Sequence, residues 1–336
     1  MVDATHKSLM ADDRSYFSLI KKDIRKLAAT HHFDQKKLND IDIIVSELTS
    51  NLQKHTVGGA EILFGYIDNG SSAYLEIICI DNGPGIADVK KVTADGFSSS
   101  GTLGHGFGSI NRKADFLEIY SLLKWGTVIL VRINQNTSKK QKELITGHQL
   151  VVAKPGEETS GDGCYMQTTE TGFKYLVADG LGHGPFANEA VNAAVKAFSE
   201  TKEQTASEIL RYMHREIKKT RGVVANVLIY NTLQKQWSIC GVGNISTRLS
   251  GGQAVKNFIP YNGIVGHNIP TTLNDMVLPQ AEYNHFISCS DGIKSRWDLQ
   301  KFPMIYKNDP AILSAVLYKE YARRNDDMSV IVCKIR

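Results

Sequence analysis

Apolar positions in the first part of the chain repeat every three to four residues. In "RSYFSLIKKDIRKLAATHH" they are Phe17, Ile20, Ile24 and Leu27, the spacing of one buried helix face. "DQKKLNDIDIIVSELTSNLQKH" continues the pattern with Leu38, Ile41, Val45, Leu48 and Leu52, and Asp34 stands where a helix N-cap belongs. Two apolar runs follow, "AEILFGYI" and "AYLEIICI", joined by "DNGSS". That is a hairpin signal. A glycine-rich stretch, a short helix near 107–114, and the strands "FLEIYSLL" and "GTVILVRI" complete this part. The expected fold is α+β, with a largely antiparallel sheet covered on one face.

A polar stretch, Asn134 to Glu143, interrupts the pattern. It reads as a linker, and it divides the chain into domains 1–134 and 144–336, joined by 135–143. Beyond it the runs 148–153, 163–169 and 173–178 read as strands, and 186–200 and 204–219 as helices. "VVANVLIY" and "QWSICGVG" are further strands, followed by a loop-rich region, "YNHFISCS", a helix near 309–323 and "MSVIVCKI". Many strands around one helical pair predict two packed sheets flanked by helices. No internal repeat is visible.

Composition narrows the class. At 336 residues, with 42% hydrophobic and 22% charged residues, each half can bury its own core. A net charge of +4, spread along the chain, argues against nucleic acid. No run approaches the ~20 apolar residues of a membrane span, and no signal peptide is expected. The five cysteines stand far apart without paired spacing, which fits a reducing cytoplasm.

Two phrases carry the candidate chemistry. In the first half Glu47, Asn51 and His55 are four residues apart on one helix, so they share a face. A carboxylate and an amide one turn apart suit Mg²⁺, although a solvated polar face is the plainer reading of those residues alone. "DNGPGI" ends a strand: Asp81 can accept from an exocyclic amine, and Gly83 and Gly85 let backbone approach a flat base. In "DGFSSSGTLGHGFGSI", Gly101, Gly104, Gly106 and Gly108 precede a helix, an arrangement that favours phosphate.

This order of boxes resembles the GHKL-type ATP-binding (Bergerat) fold shared by gyrase, Hsp90-type chaperones and histidine kinases. Within it the match is nearest to the anti-sigma-factor serine kinases, and the loop is most like that of the stressosome switch kinases. The resemblance covers roughly 10–133 and implies an α/β sandwich that binds ATP with Mg²⁺. Asn51 would ligate Mg²⁺, Asp81 and Thr127 would contact adenine, and Gly104, Gly106 and Gly108 would wrap the phosphates. Lys54, His55, Gly83, Gly85, Gly101 and His105 would complete the nucleotide site. Glu47 would be the general base for a substrate hydroxyl.

In the second half aspartates recur at the ends of apolar runs: Asp162 in "SGDG", Asp179 in "VADG", Asp291 in "SCSDG", and Asp326 and Asp327 in "RNDDMSVIV". Asp and Gly are ordinary turn residues, but four such phrases in this order are not expected by chance. Two unit charges 4 Å apart repel by about 4 kcal/mol at an effective dielectric of 20, so gathered carboxylates call for Mg²⁺ or Mn²⁺. The order resembles the PPM-type metal-dependent serine/threonine phosphatases, in their SpoIIE-like branch, over 144–336. That implies a four-layer α/β/β/α sandwich with two Mn²⁺ or Mg²⁺ ions. Asp179 would bridge the metals, the Gly180 carbonyl would bind one, Asp291 and Asp326 would complete the other site, and Asp162 would bind directly or through water. Asp327 stands where more distant members carry asparagine and is read as a supporting residue. His183 follows the Asp-Gly pair only after Leu181 and Gly182, a departure from the family's acidic histidine.

The combined expectation is a bifunctional cytoplasmic switch protein, kinase and phosphatase in one chain, acting on STAS-domain antagonists or stressosome scaffolds. A homodimer is left open. The second expectation is a phosphatase whose GHKL-type half binds nucleotide and gates without transferring phosphate.

Overall fold

The computed structural model describes residues 5–56, 58–68, 72–93, 103–136, 145–252 and 254–335, with the backbone alone at 93 and 103–105. Two compact units are resolved. Thr5–Lys142 joins with Phe302–Val316, and Glu143–Lys301 joins with Leu317–Arg336.

The first unit opens with β1 (Lys7–Met10), α1 (Phe17–Thr30) and α2 (Gln35–His55). It continues through β2 (Glu61–Asp68), β3 (Ala73–Asp81), α3 (Val89–Thr93), α4 (Leu103–Lys113), β4 (Phe116–Leu122) and β5 (Gly126–Asn134). The five strands form one antiparallel sheet in the order β1-β2-β3-β5-β4. Ile20, Ile24, Ile41, Val45, Leu48 and Leu52 pack against Ile62, Phe64, Ile77, Ile129 and Val131. The helical period thus meets the alternate positions of the strands. Asp34 caps α2 by accepting from the Lys37 backbone N–H at 2.8 Å.

The opposite sheet face carries charge. Arg132 donates to Glu76 at 2.6 Å and, from both terminal nitrogens, to Asp309 at 2.8 and 2.9 Å. Asn308 and the Asp309 N–H donate to Glu118, and the Tyr120 hydroxyl reaches the Pro303 carbonyl at 3.2 Å. By its contacts Phe302–Val316, inside the expected domain 144–336, groups with the first unit. The linker expected at 135–143 lies almost wholly outside the described residues.

The second unit contains β6 (Ile145–Val152), β7 (Asp162–Thr169), β8 (Gly172–Gly180), α5 (Pro185–Glu200), α6 (Ala206–Glu216), β9 (Val223–Asn231) and β10 (Gln236–Val242). It then runs through β11 (Ser246–Gly251), β12 (Ala254–Phe258), β13 (Met276–Pro279), β14 (His285–Cys289) and β15 (Met328–Ile335). Two antiparallel sheets result, ordered β13-β10-β9-β8-β7 and β12-β11-β14-β15-β6. Phe173, Tyr175, Trp237 and Phe286 pack between them with ring centroids 5.2–5.8 Å apart, an aromatic edge-to-face core. Ala190, Ala194, Phe198, Ile209 and Met213 of α5 and α6 cover the outer face of the first sheet.

One helix layer and two sheet layers of the predicted four-layer sandwich therefore lie within this unit. The remaining helix, α7 (Pro310–Tyr321), is divided between the units after Val316. The region read as loop-rich contains β11, β12 and β13. They are short, and two of them are sheet edges, so little apolar alternation marks them. All five cysteines are free and buried. Among the described residues no helix is long and apolar enough to cross a membrane.

Candidate functional site

α2 carries Glu47, Asn51 and His55 on one stripe. Asn51 is only 8% exposed, and its amide nitrogen has no hydrogen-bond partner. α4 begins against this stripe. A Cβ on Gly106 would lie 3.0 Å from a Glu47 carboxylate oxygen and 3.4 Å from the Asn51 carbonyl oxygen, so a side chain there would push on both. The helix starts at Leu103 rather than near Phe107. Gly104 thus lies in its first turn, where backbone N–H groups lack intrahelical acceptors, whereas Gly106 is the first position whose N–H can join the helix ladder. Gly108 comes after that turn, and its N–H is committed to the helix ladder. Gly101 lies outside the described residues, and His105 is described by backbone alone.

β3 delivers Asp81 opposite Thr127 of β5. Asp81 is 9% exposed and accepts from the Gly83 N–H at 2.7 Å. A Cβ on Gly83 would sit 2.8 Å from both Asp81 and the His55 carbonyl. Gly85 adopts φ +78°, with the Leu122 carbonyl directly where a side chain would go, which requires glycine. Ser121 joins Thr127 at 3.0 Å and accepts from the Ile86 N–H at 2.8 Å. Its cross-strand pairing with Thr127 had no sequence signal. His55 is half-buried and its Nε2 has no partner. Burial and the neighbouring Lys54 lower its pKa, and Asp81 opposes them. Lys54 itself is exposed.

In the second unit Asp162 and Asp179 face each other across β7 and β8. Like charges in that position are unfavourable. Asp162 is 1% exposed, and its Oδ2 has no partner. Burial raises the pKa of both. Ser290 and Ser329 restrain the rise at Asp162, while Asp162, Asp291, Asp326 and Asp327 add to it at Asp179. The strands thus bring all five acids into one field. Three of them do not each bring an oxygen within 4.8 Å of one another, so the set is spread rather than a closed cage.

Asp327 is occupied. Its two oxygens accept from the Lys154 and Gly161 N–H groups, each at 2.8 Å. Gly180 donates to the Gly161 carbonyl at 2.9 Å, and the Ala187 carbonyl leaves it no room for a side chain. Asn244 donates to Asp291 at 3.0 Å, and His183 pairs with Glu157 at 2.8 Å. Neither Asn244 nor Glu157 stood out in the sequence, since an isolated polar residue in a loop carries no pattern. Among the described residues no Lys or Arg pairs with Asp162, Asp179, Asp291 or Asp326. Such a set is chemically suited to hard divalent cations.

Comparison with known proteins gives two kinds of relative. The chain is 34% identical over 93 residues to the phosphoserine phosphatase RsbX of Bacillus subtilis (strain 168), covering 27% of this chain and 46% of RsbX. It is also 38% identical over 89 residues to the serine/threonine-protein kinase RsbT of the same organism, covering 26% of this chain and 66% of RsbT. Both matches span less than two thirds of the relative. Among solved structures, a chain from work on the bacterial stressosome as a modular system matches with TM-score 0.53 and 28% identity. It covers 57% of this chain and all of that one. RsbX in complex with magnesium matches with TM-score 0.50 and 24% identity, over 59% of this chain and 98% of that one, a likeness of fold. No family model matches the chain. One polypeptide is therefore similar both to a phosphatase and to a kinase.

Proposed function

We propose that this protein is a bifunctional bacterial switch. The second unit removes phosphate from phosphoserine or phosphothreonine of a partner protein, and the first unit phosphorylates Ser or Thr. The observation that carries the reading is the acidic set around Asp179, with the buried Asp162, whose Oδ2 has no partner, beside it. The similarity to RsbX supports this half and the similarity to RsbT the other.

In this reading the second unit is a PPM-type phosphatase. Asp179, the Gly180 carbonyl, Asp291 and Asp326 hold two Mn²⁺ or Mg²⁺ ions, with Asp162 binding directly or through water. Bound metal supplies an activated water and positive charge for the phosphoryl oxygens. Asp327 holds the backbone at Lys154 and Gly161 in place behind the site. The first unit is of the GHKL type and binds ATP with Mg²⁺. The buried Asn51 amide suits the ion, Asp81 and Thr127 take the adenine edge, and the first turn of α4 offers N–H groups to phosphate. Glu47 accepts the proton of the incoming hydroxyl. The substrates are STAS-domain antagonists or stressosome scaffold proteins, met in the cytoplasm.

A single comparison tests both halves. Full-length wild type, Asp179→Asn and Glu47→Ala are given a phosphorylated STAS protein with Mn²⁺, and separately the unphosphorylated protein with γ-labelled ATP and Mg²⁺. Asp179→Asn is expected to lose hydrolysis and keep transfer, and Glu47→Ala the reverse. Undiminished hydrolysis by Asp179→Asn, or undiminished transfer by Glu47→Ala, would overturn the corresponding assignment.

A further inference from the structure

Outside both sites, the second unit contains a pocket of about 370 Å³ on the β11–β12 edge of its second sheet. Ser246, Arg248, Asn257, Ser295, Arg296 and Trp297 line it, and no carboxylate does. Arg248 is held rigidly. Its guanidinium lies 4.1 Å over the Trp297 ring, its Nε donates to Asn257 at 2.9 Å, and its Nη1 donates to the Trp297 carbonyl at 3.2 Å. Nη2 has no acceptor among the described residues. Arg296 is exposed and makes no hydrogen bond or ion pair with any of them. The Trp297 indole N–H is buried without a partner. Two guanidinium groups, two hydroxyls and an amide around a half-open cavity form a donor-rich lining, chemically suited to an oxyanion.

The position relates the pocket to the acidic set. Asn244, which donates to Asp291, is two residues before Ser246, and Ser295 is four residues after Asp291. Four residues reach at most about 14 Å. We propose that this pocket is an accessory subsite for an oxyanion, phosphoryl or carboxylate, carried by the substrate protein about four residues from the phosphate that is removed. It rests on the phosphatase reading for its role but not for its existence as an anion site. It would select partners by a second negative group, while the first would be met by the cations that the acidic set would bind.

The test has two arms. In EDTA and without nucleotide, the full chain is titrated with inorganic phosphate and, separately, acetate, and Trp fluorescence is followed. Phosphate or acetate is expected to change the emission saturably. Arg296→Ala should weaken binding about tenfold, the equivalent of one charge-assisted hydrogen bond. Trp297→Phe should remove the signal. The anion that binds more tightly identifies the group. No saturable change in wild type, equal affinity in Arg296→Ala, or a signal surviving in Trp297→Phe would each overturn the pocket as an anion site, whatever the enzyme does. In the second arm, two phosphoserine peptides differ only by Glu or Ala four residues from the phosphoserine. With Mn²⁺, wild type should show a KM about tenfold lower for the Glu peptide, and Arg296→Ala should lose that preference. Equal KM values for the two peptides in wild type would overturn the substrate role. Failure to hydrolyse either peptide would instead count against the phosphatase reading.

Discussion

Asp179 shows what a functional residue costs the fold that holds it. It faces Asp162 across two strands and lies in the field of three more carboxylates. Burial, reinforced by the neighbouring carboxylates, raises its pKa well above the ordinary carboxylate range. A carboxyl whose pKa is raised on folding favours the native state below the unfolded pKa. That contribution is lost as pH rises through the folded value. Metal-free wild type should therefore lose stability as pH rises from about 5 to 8, and Asp179→Asn should lose less. In EDTA at pH 8 the melting temperature of Asp179→Asn should exceed that of wild type by at least ~2 °C, the effect of about 1 kcal/mol in a unit this size. Added Mn²⁺ should raise only the wild-type value appreciably. A lower melting temperature for Asp179→Asn in EDTA would show that Asp179 is not electrostatically strained. Asp327, although only one residue from Asp326, does different work, because both its oxygens are taken by backbone N–H groups. Sequence gives two adjacent aspartates. Their separate roles depend on which backbone each one meets.

At the scale of elements, α4 is the informative case. Its first turns carry Gly104, Gly106 and Gly108, and each glycine costs about 1 kcal/mol relative to alanine in a helix interior. Composition therefore suggested a loop up to about residue 107. The helix starts earlier, and Phe107 and Ile110 are buried in the core beneath it. Gly106 is set apart by contact rather than by dihedral angle, because a side chain there would press on the Glu47 carboxylate and the Asn51 amide. Gly106→Ala should favour the helix and displace the Glu47 carboxylate. The expected outcome is a melting temperature equal to or above wild type, with transfer from ATP reduced about tenfold or more, a loss of the order expected for a misplaced catalytic base. Full transfer in a well-folded Gly106→Ala protein would show that the α2–α4 contact does not position Glu47. The strands β11–β13 escaped the sequence reading for the opposite reason. β11 and β13 are held by pairing with β14 and β10, distant in the chain, β12 only by its hairpin with β11, and their own alternation is weak.

At the scale of the molecule, the order of residues along the chain and the assignment of residues to units differ. Phe302–Val316 interrupts the two-sheet segment, before β15 (Met328–Ile335), yet groups with the one-sheet unit. Arg132 is the anchor. Burial alone would lower its pKa, but Glu76 and Asp309 reverse the effect and keep it charged. Asp309 also accepts from the Ala311 N–H at 2.9 Å at the start of α7. Asp309→Ala removes an ion-pair partner and a helix cap together, at an expected cost of about 2–4 kcal/mol. The urea midpoint of the transition reported by Trp125, which packs on Phe302 with ring centroids 5.4 Å apart, should fall accordingly. An unchanged midpoint would mean that the ionic face adds nothing to the unit.

The sequence by itself determined the helices α1 and α2, the hairpin, the long strands of both halves, and both sets of acidic and glycine residues. All of these are local: an apolar period or a turn residue beside an apolar run can be read within about twenty positions. Only the tertiary structure decided that Gly106 touches Glu47, that Asp162 opposes Asp179, that Asp327 is consumed by backbone, that Arg248 stacks on Trp297, and that Asp309 pairs with Arg132. The physical reason is distance along the chain. Each of these contacts joins residues that share no local pattern, and its strength comes from burial and from the opposing or complementary charges that folding brings within a few ångströms.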